Sequence, residues 1–192
     1  MAIGIRVKIN NTKGKMMHYK KILGAVLFFA VSVSGLFAAD VKKSTVVYTI
    51  KGNVEDRYYQ MMDKPIKELG YRLPDPRKHV NQVYKSEYGS TTLEVLSFMT
   101  IVNDKGVKPL LEIDPRLAGF NPFNVVIYKH QNKDESVISH LTAEAIIEIL
   151  GITDEKVISE YTKQMAELDA LIAKTFPSAV VSHGTYEGTV EN

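Results

Sequence analysis

The residues best suited to chemistry lie in the stretch EIDPRLAGFNPFNVVIYKH, from Glu112 to His130. Asp114 and Arg116 flank Pro115, so the two charges can pair or hold an anion, and Glu112 could add a second carboxylate for acid–base work. The plainer expectation is a capped turn with a solvated ion pair. Tyr128 and His130 close the strongest strand pattern in the chain, where a phenol and an imidazole could touch a ligand. His79, His130, His140 and His183, with Met61, Met62 and Met99, supply donor types that copper or haem accept. The methionines, however, occupy apolar positions that suit core filling. If the strand ending at His130 pairs with Ser136 to His140, the two histidines stand at opposite ends of that hairpin. Tyr48, Tyr58, Tyr59, Tyr71, Tyr84, Tyr88 and Tyr128 could line a cleft, although packing with a wetted hydroxyl explains them equally well.

No G-x-S-x-G, phosphate-binding glycine loop, H-E-x-x-H or EF-hand pattern occurs in the sequence. Cysteine is absent, which excludes disulfides, thiol nucleophiles, Cys-held zinc, iron–sulfur clusters and c-type haem attachment. No catalytic residue, metal ligand or cofactor is therefore expected. Asp114, Arg116, Tyr128 and His130 stand as candidate ligand contacts only.

Six basic residues (Arg6, Lys8, Lys13, Lys15, Lys20, Lys21) and no acidic one lie in the first 39 positions, which leaves 18 basic against 22 acidic side chains beyond them. That acidic balance disfavours nucleic acid, whose phosphates need a concentrated basic surface. Lys20-Lys21, the apolar run Ile22 to Phe37 and Ala38-Ala39-Asp40 follow signal-peptide order. Export to a periplasmic or secreted location is expected, with cleavage near Ala38 or Ala39 and no membrane association afterwards. The alternative is an inner-membrane anchor, since the run approaches the length needed to span a bilayer.

The elements that must position these residues follow from periodicity. Thr45 to Lys51 alternate as a half-buried strand. Asn53 is placed to cap a helix reaching Leu69, with Asp56 completing an approximate capping box, and Pro65 is expected to kink it without breaking it. Tyr71 to Leu73 suggest a short strand, His79 to Tyr88 a helix, and Thr91 to Val102 a central strand covered on both faces. Val107, Leu110 and Leu111 suit a short helix with Pro109 in its first turn, and a loop then feeds Phe123 to His130. Thr142 can cap Ala143 to Leu150. A longer helix from Thr153 to about Lys174 carries Ile158, Tyr161, Met165, Leu168 and Ile172 at alternating three- and four-residue spacing. That stripe is expected to dock on its own domain.

From about Val46 to Gly151 the chain resembles the uncharacterised DUF 302 family. The resemblance rests on VVYTIKGNVEDRYYQMMDKPIKELGY, on LLEIDP at Leu110 to Pro115 and on NPFNVVIYKH at Asn121 to His130. It implies a compact α+β domain of TATA-binding-protein-like architecture, and it brings no catalytic residue set. Members often carry a Cys-Asn-Pro-like turn and a Pro-Cys pair. Here Val102-Asn103-Asp104 and Pro122-Phe123 stand in those places, so no thiol role transfers.

The expected organisation is an N-terminal extension with signal peptide over 1–39, an α+β domain over 40–151, an added C-terminal helix over 152–175 and a flexible tail over 176–192. The fold expected is a small, mainly antiparallel sheet covered by helices. The expected function is an exported, non-catalytic binding or accessory domain for an unknown small molecule or protein. It could self-associate through its sheet or its Ile158-to-Ile172 helix. The competing expectation is a small enzyme or a redox, haem or copper accessory protein.

Overall fold

The computed structural model describes residues 42–186; the signal-like segment and the last six positions of the expected tail lie outside them. Within these residues the sheet consists of β1 (Lys42–Lys51), β2 (Pro76–Arg77), β3 (Leu93–Ile101), β4 (Phe123–His130), β5 (Glu135–Leu141) and β6 (Val180–Tyr186). Its spatial order is β2-β3-β4-β5-β1-β6, with every pairing antiparallel. The helices are α1 (Glu55–Asp63), α2 (Pro65–Glu68), α3 (Val80–Tyr88), α4 (Asp104–Leu111), α5 (Ala143–Ile149) and α6 (Glu155–Thr175), with a 3-10 helix over Pro115–Phe120. None of the described helices is long and apolar enough to cross a membrane. The expected α+β class, an antiparallel sheet with helices, is what the chain adopts.

The strand period of two sorts each strand into a helix-facing and an opposite side. Val46, Tyr48 and Ile50 of β1, Val95, Met99 and Ile101 of β3, Val125 and Ile127 of β4 and Ile138 of β5 are buried in one core. Against them pack Tyr58, Met61, Met62 and Ile66 from α1 and α2, Val107 and Leu110 from α4, and Ile146 from α5. From α6, Tyr161, Met165, Leu168 and Ile172 of the expected stripe join the same cluster, while Val157 is fully buried at its start and Ile158, expected there, is only partly buried. Each such side chain contributes roughly 1.5–3 kcal/mol of burial, so α6 is a structural wall of this core.

Local differences from the expected elements have identifiable causes. Pro65 divides the first helix instead of kinking it: α1 stops at Asp63, Lys64 leaves helical geometry at φ −130°, and Pro65 opens α2. Proline disfavours the helical region for the residue before it and sits well at a helix start. Asn53 accepts from the Glu55 amide at 3.0 Å, an Asx turn one residue before the helix boundary at Val54, and does not cap α1. Tyr71 to Leu73 form no strand; Arg72 makes a single bridge to Val102. β3 is next to the edge, not central, bordered outside by the two-residue β2. Pro109 lies past the first turn of α4, which starts at Asp104 with Asn103 accepting from the Gly106 amide. The largest correction concerns the expected tail. Val180–Tyr186 is a strand that pairs with β1 along its length, adding a sixth member to the sheet.

Candidate functional site

Asp114 and Arg116 behave as the turn chemistry requires. Asp114 precedes the 3-10 helix and accepts from the Arg116 amide, while Arg116 Nη2 meets its carboxylate at 2.6 Å and Nε does so at 3.0 Å. This bonding holds the Asp114 carboxyl below the usual carboxylate range. Tyr128 and His130 lie toward the far end of β4, with ring centroids 5.9 Å apart. The four candidates thus form two separate pairs, one at the entry to β4 and one at its exit.

The tyrosines do not gather in one cleft. Tyr48, Tyr58 and Tyr71 are buried in the core, Tyr84 and Tyr88 are exposed on α3, and Tyr128 is half-buried on the opposite side of the sheet. Met61, Met62 and Met99 are core residues. Among the described residues no three His, Asp or Glu side chains come together as a metal-holding group.

Two polar clusters lie on the helix-facing side. Under α6, Tyr48 donates to Asp169 Oδ1 at 2.6 Å, and His140 Nε2 sits 2.9 Å from the same oxygen. The other ring nitrogen of His140 bonds the Leu141 carbonyl at 2.8 Å. Burial alone raises the Asp169 carboxyl, but hydrogen bonds from His140 and Tyr48 outweigh it and leave the group below its ordinary value. Burial, reinforced by the bond to Asp169, pushes the Tyr48 hydroxyl far upward. Both His140 nitrogens are committed to protein oxygens. A catalytic imidazole needs one nitrogen turned toward substrate, so this triad pins α6 to the sheet.

In the second cluster Tyr59 donates to Glu55 at 2.6 Å, which leaves its oxygen to accept from Ser97 at 2.7 Å. Ser97 in turn accepts from the His79 amide at 3.0 Å, and His79 Nδ1 lies 3.3 Å from Glu55. Burial and the Glu55 contact push the Tyr59 hydroxyl up to about 12. His79 holds a left-handed backbone at φ 55°, a strained geometry for a side chain with a Cβ. Ser97 is fully buried, so the chain of bonds fastens the segment before α3 to β3.

The other side of the sheet is different. Directly opposed residues run in one row across five strands: Leu96, Tyr128, Val137, Thr49 and Val180. A neighbouring row carries Phe98, Val126, Ser139, Val47 and Ser182. Along the first row lies a hollow of about 220 Å³ lined by Val47, Thr49, Tyr128, His130, Lys133, Glu135 and Val137. It adjoins one of about 610 Å³ that shares Thr49, Lys133 and Glu135 and reaches Lys51, Ser178 and Val180. Val47, Val137 and the Tyr128 ring share the floor with Thr49, and charges of both signs from the β4–β5 turn form the rim.

Asp169 and Thr49 went unnoticed as polar participants in the sequence. Asp169 follows Leu168 and stands four residues beyond Met165, a spacing that turns it toward the sheet. That was the available signal. Thr49 carries none until the register is known.

No family model matches the chain, and no curated protein sequence matches it. Among solved structures, it is similar to the crystal structure of the uncharacterized conserved protein DUF302 from Bacillus stearothermophilus. That likeness has a TM-score of 0.54 at 10% identity and covers 69% of this chain and 95% of the other. At such identity the shared property is the path of the backbone, which agrees with the α+β domain of DUF 302 type that the sequence resemblance implied. The chain carries a DUF302-like α+β fold.

Proposed function

We propose that this chain is an exported, periplasmic-type domain that binds a ligand or partner without catalysing a reaction, using the sheet side that carries Tyr128 and His130. The observation that supports this most is the row from Leu96 to Val180 and the hollow above it. A mixed floor and a charged rim suit a small polar molecule with a planar body, the body on Tyr128 and Val137 and its polar group toward His130 or Lys133. The clusters with acid–base side chains support the non-catalytic part, because their hydrogen bonds are spent inside the fold. Export is supported by the charged, apolar and small-residue order ending at Ala38-Ala39.

A thermal-shift screen of small aromatic acids and amines, repeated on Tyr128→Ala and His130→Ala, tests the binding surface. Compounds that stabilise the parent chain should lose their effect on both variants. Stabilisation unchanged by either substitution would place binding elsewhere, and turnover or a visible chromophore would favour the enzyme or redox alternative. Mass spectrometry of the mature N-terminus addresses export: a chain starting near Asp40 is expected, whereas a peptide beginning before Ile22 would refute cleavage.

A further inference from the structure

The two edges of the sheet are unlike. One ends in β2, only two residues long and containing Pro76, which has no amide hydrogen to offer. The other ends in β6, seven residues of sequence VVSHGTY with no acidic residue, lysine, arginine or proline. Its inner edge pairs with β1, and among the described residues its outer edge has no strand beside it. Val180 and Val181, which point to opposite sides of the sheet, are 69% and 50% exposed. Edge strands normally carry lysine, proline or a bulge that discourages further pairing, and β6 carries none of the first two.

We infer that β6 is a pairing edge for a second copy of this chain, joining two sheets into one across a two-fold axis. An antiparallel strand pair is compatible with that symmetry for any strand, because each copy offers the other the same donors and acceptors. β6 has no Lys, Arg, Asp or Glu, so meeting a second copy of itself sets no two such charges opposite one another. A two-fold axis perpendicular to the sheet keeps helices on one side. With the axis at His183, Val180 faces residue 186, Val181 faces Thr185 and Ser182 faces Gly184 of the other copy, so all seven residues are used. The assembly closes at two, because each copy then presents only the blunt Pro76–Arg77 edge. The inference does not depend on what the Tyr128 side binds.

The test is the mass of the full chain by size-exclusion with light scattering, over concentrations on the order of 1 to 100 µM. It is run on the parent and on Val180→Lys/Val181→Lys, with hydrogen exchange of β6 amides followed in both. A doubled mass in the parent, the monomer mass in a variant that still unfolds in one cooperative transition, and β6 protection lost with dimerisation support the proposal. A monomeric parent overturns it, including one whose β6 amides are protected, since another segment of its own chain would then cover the edge. A dimer that survives the substitution, or an open series of larger species, overturns it as well. If the double variant does not fold, Val181→Lys alone provides the same comparison.

Discussion

Asp169 takes the hydrogen of Tyr48 and a ring nitrogen of His140 on one oxygen, so three side chains from two strands and a helix depend on one carboxylate. Asp169→Ala leaves a buried hydroxyl and a buried imidazole without their acceptor. The expected cost is about 1–2 kcal/mol, at the low end for such a pair because the carboxylate is partly open to solvent, and it is read from the urea midpoint. The pH dependence has a definite sign. A carboxyl held below its unfolded value stabilises the fold fully above the ordinary carboxylate range and loses that contribution as pH falls through the lower, folded value. The stability gap between parent and variant should therefore be greatest near neutrality and shrink below about pH 4. A gap that widens in acid would contradict the assignment. Lys129, which shares the buried parity of Val125 and Ile127, is accommodated by an ion pair to Glu94 across the β3–β4 register shift.

At the scale of elements, α6 and β6 depend on particular contacts at their ends. The Asp154 side chain accepts from the Val157 amide at 3.0 Å, satisfying an otherwise unpaired donor in the first turn of α6. Asp154→Ala should cost about 1 kcal/mol in chemical unfolding, with the helix itself retained. Gly184 lies against β1, where a Cβ would come 2.3 Å from Thr45 Oγ1. Accommodating it requires Thr45 to change its χ1 rotamer or the two strands to move apart. Gly184→Ala is expected to destabilise the β1–β6 pairing by roughly 1–3 kcal/mol, and β6 amides should exchange faster while those of β4 hold. Equal acceleration in both strands would mean that β6 is part of the global unfolding unit. The first helix shows how local chemistry overrides period: apolar spacing continues through Pro65, yet the backbone ends one helix and starts another there.

At the scale of the molecule, the helix that sequence reasoning set apart as an addition after Gly151 closes the same core as the sheet. Leu168 is fully buried, and Leu168→Ala should cost about 2–5 kcal/mol, lowering the thermal midpoint of the whole domain in one transition. Two separate transitions would instead indicate that α6 unfolds by itself. The sequence by itself determined what repetition along the chain can determine: the class, the positions of β1, β3, β4, β5 and α6 to within a few residues, and the alternation of Thr45 to Lys51 in a half-buried strand. Those signals are local, because burying one side of a strand or helix leaves a period in the residues. Only the tertiary structure decided that Val180 to Tyr186 is a strand, that Tyr48 and His140 meet at Asp169, and that Leu96, Tyr128, Val137, Thr49 and Val180 share a row. A short edge strand owes its form to backbone hydrogen bonds with a distant partner, and cross-strand neighbours follow from register. Neither leaves a mark in the order of residues, which is why Asp114, Arg116, Tyr128 and His130 could be named as candidates while their division into two distant pairs could not.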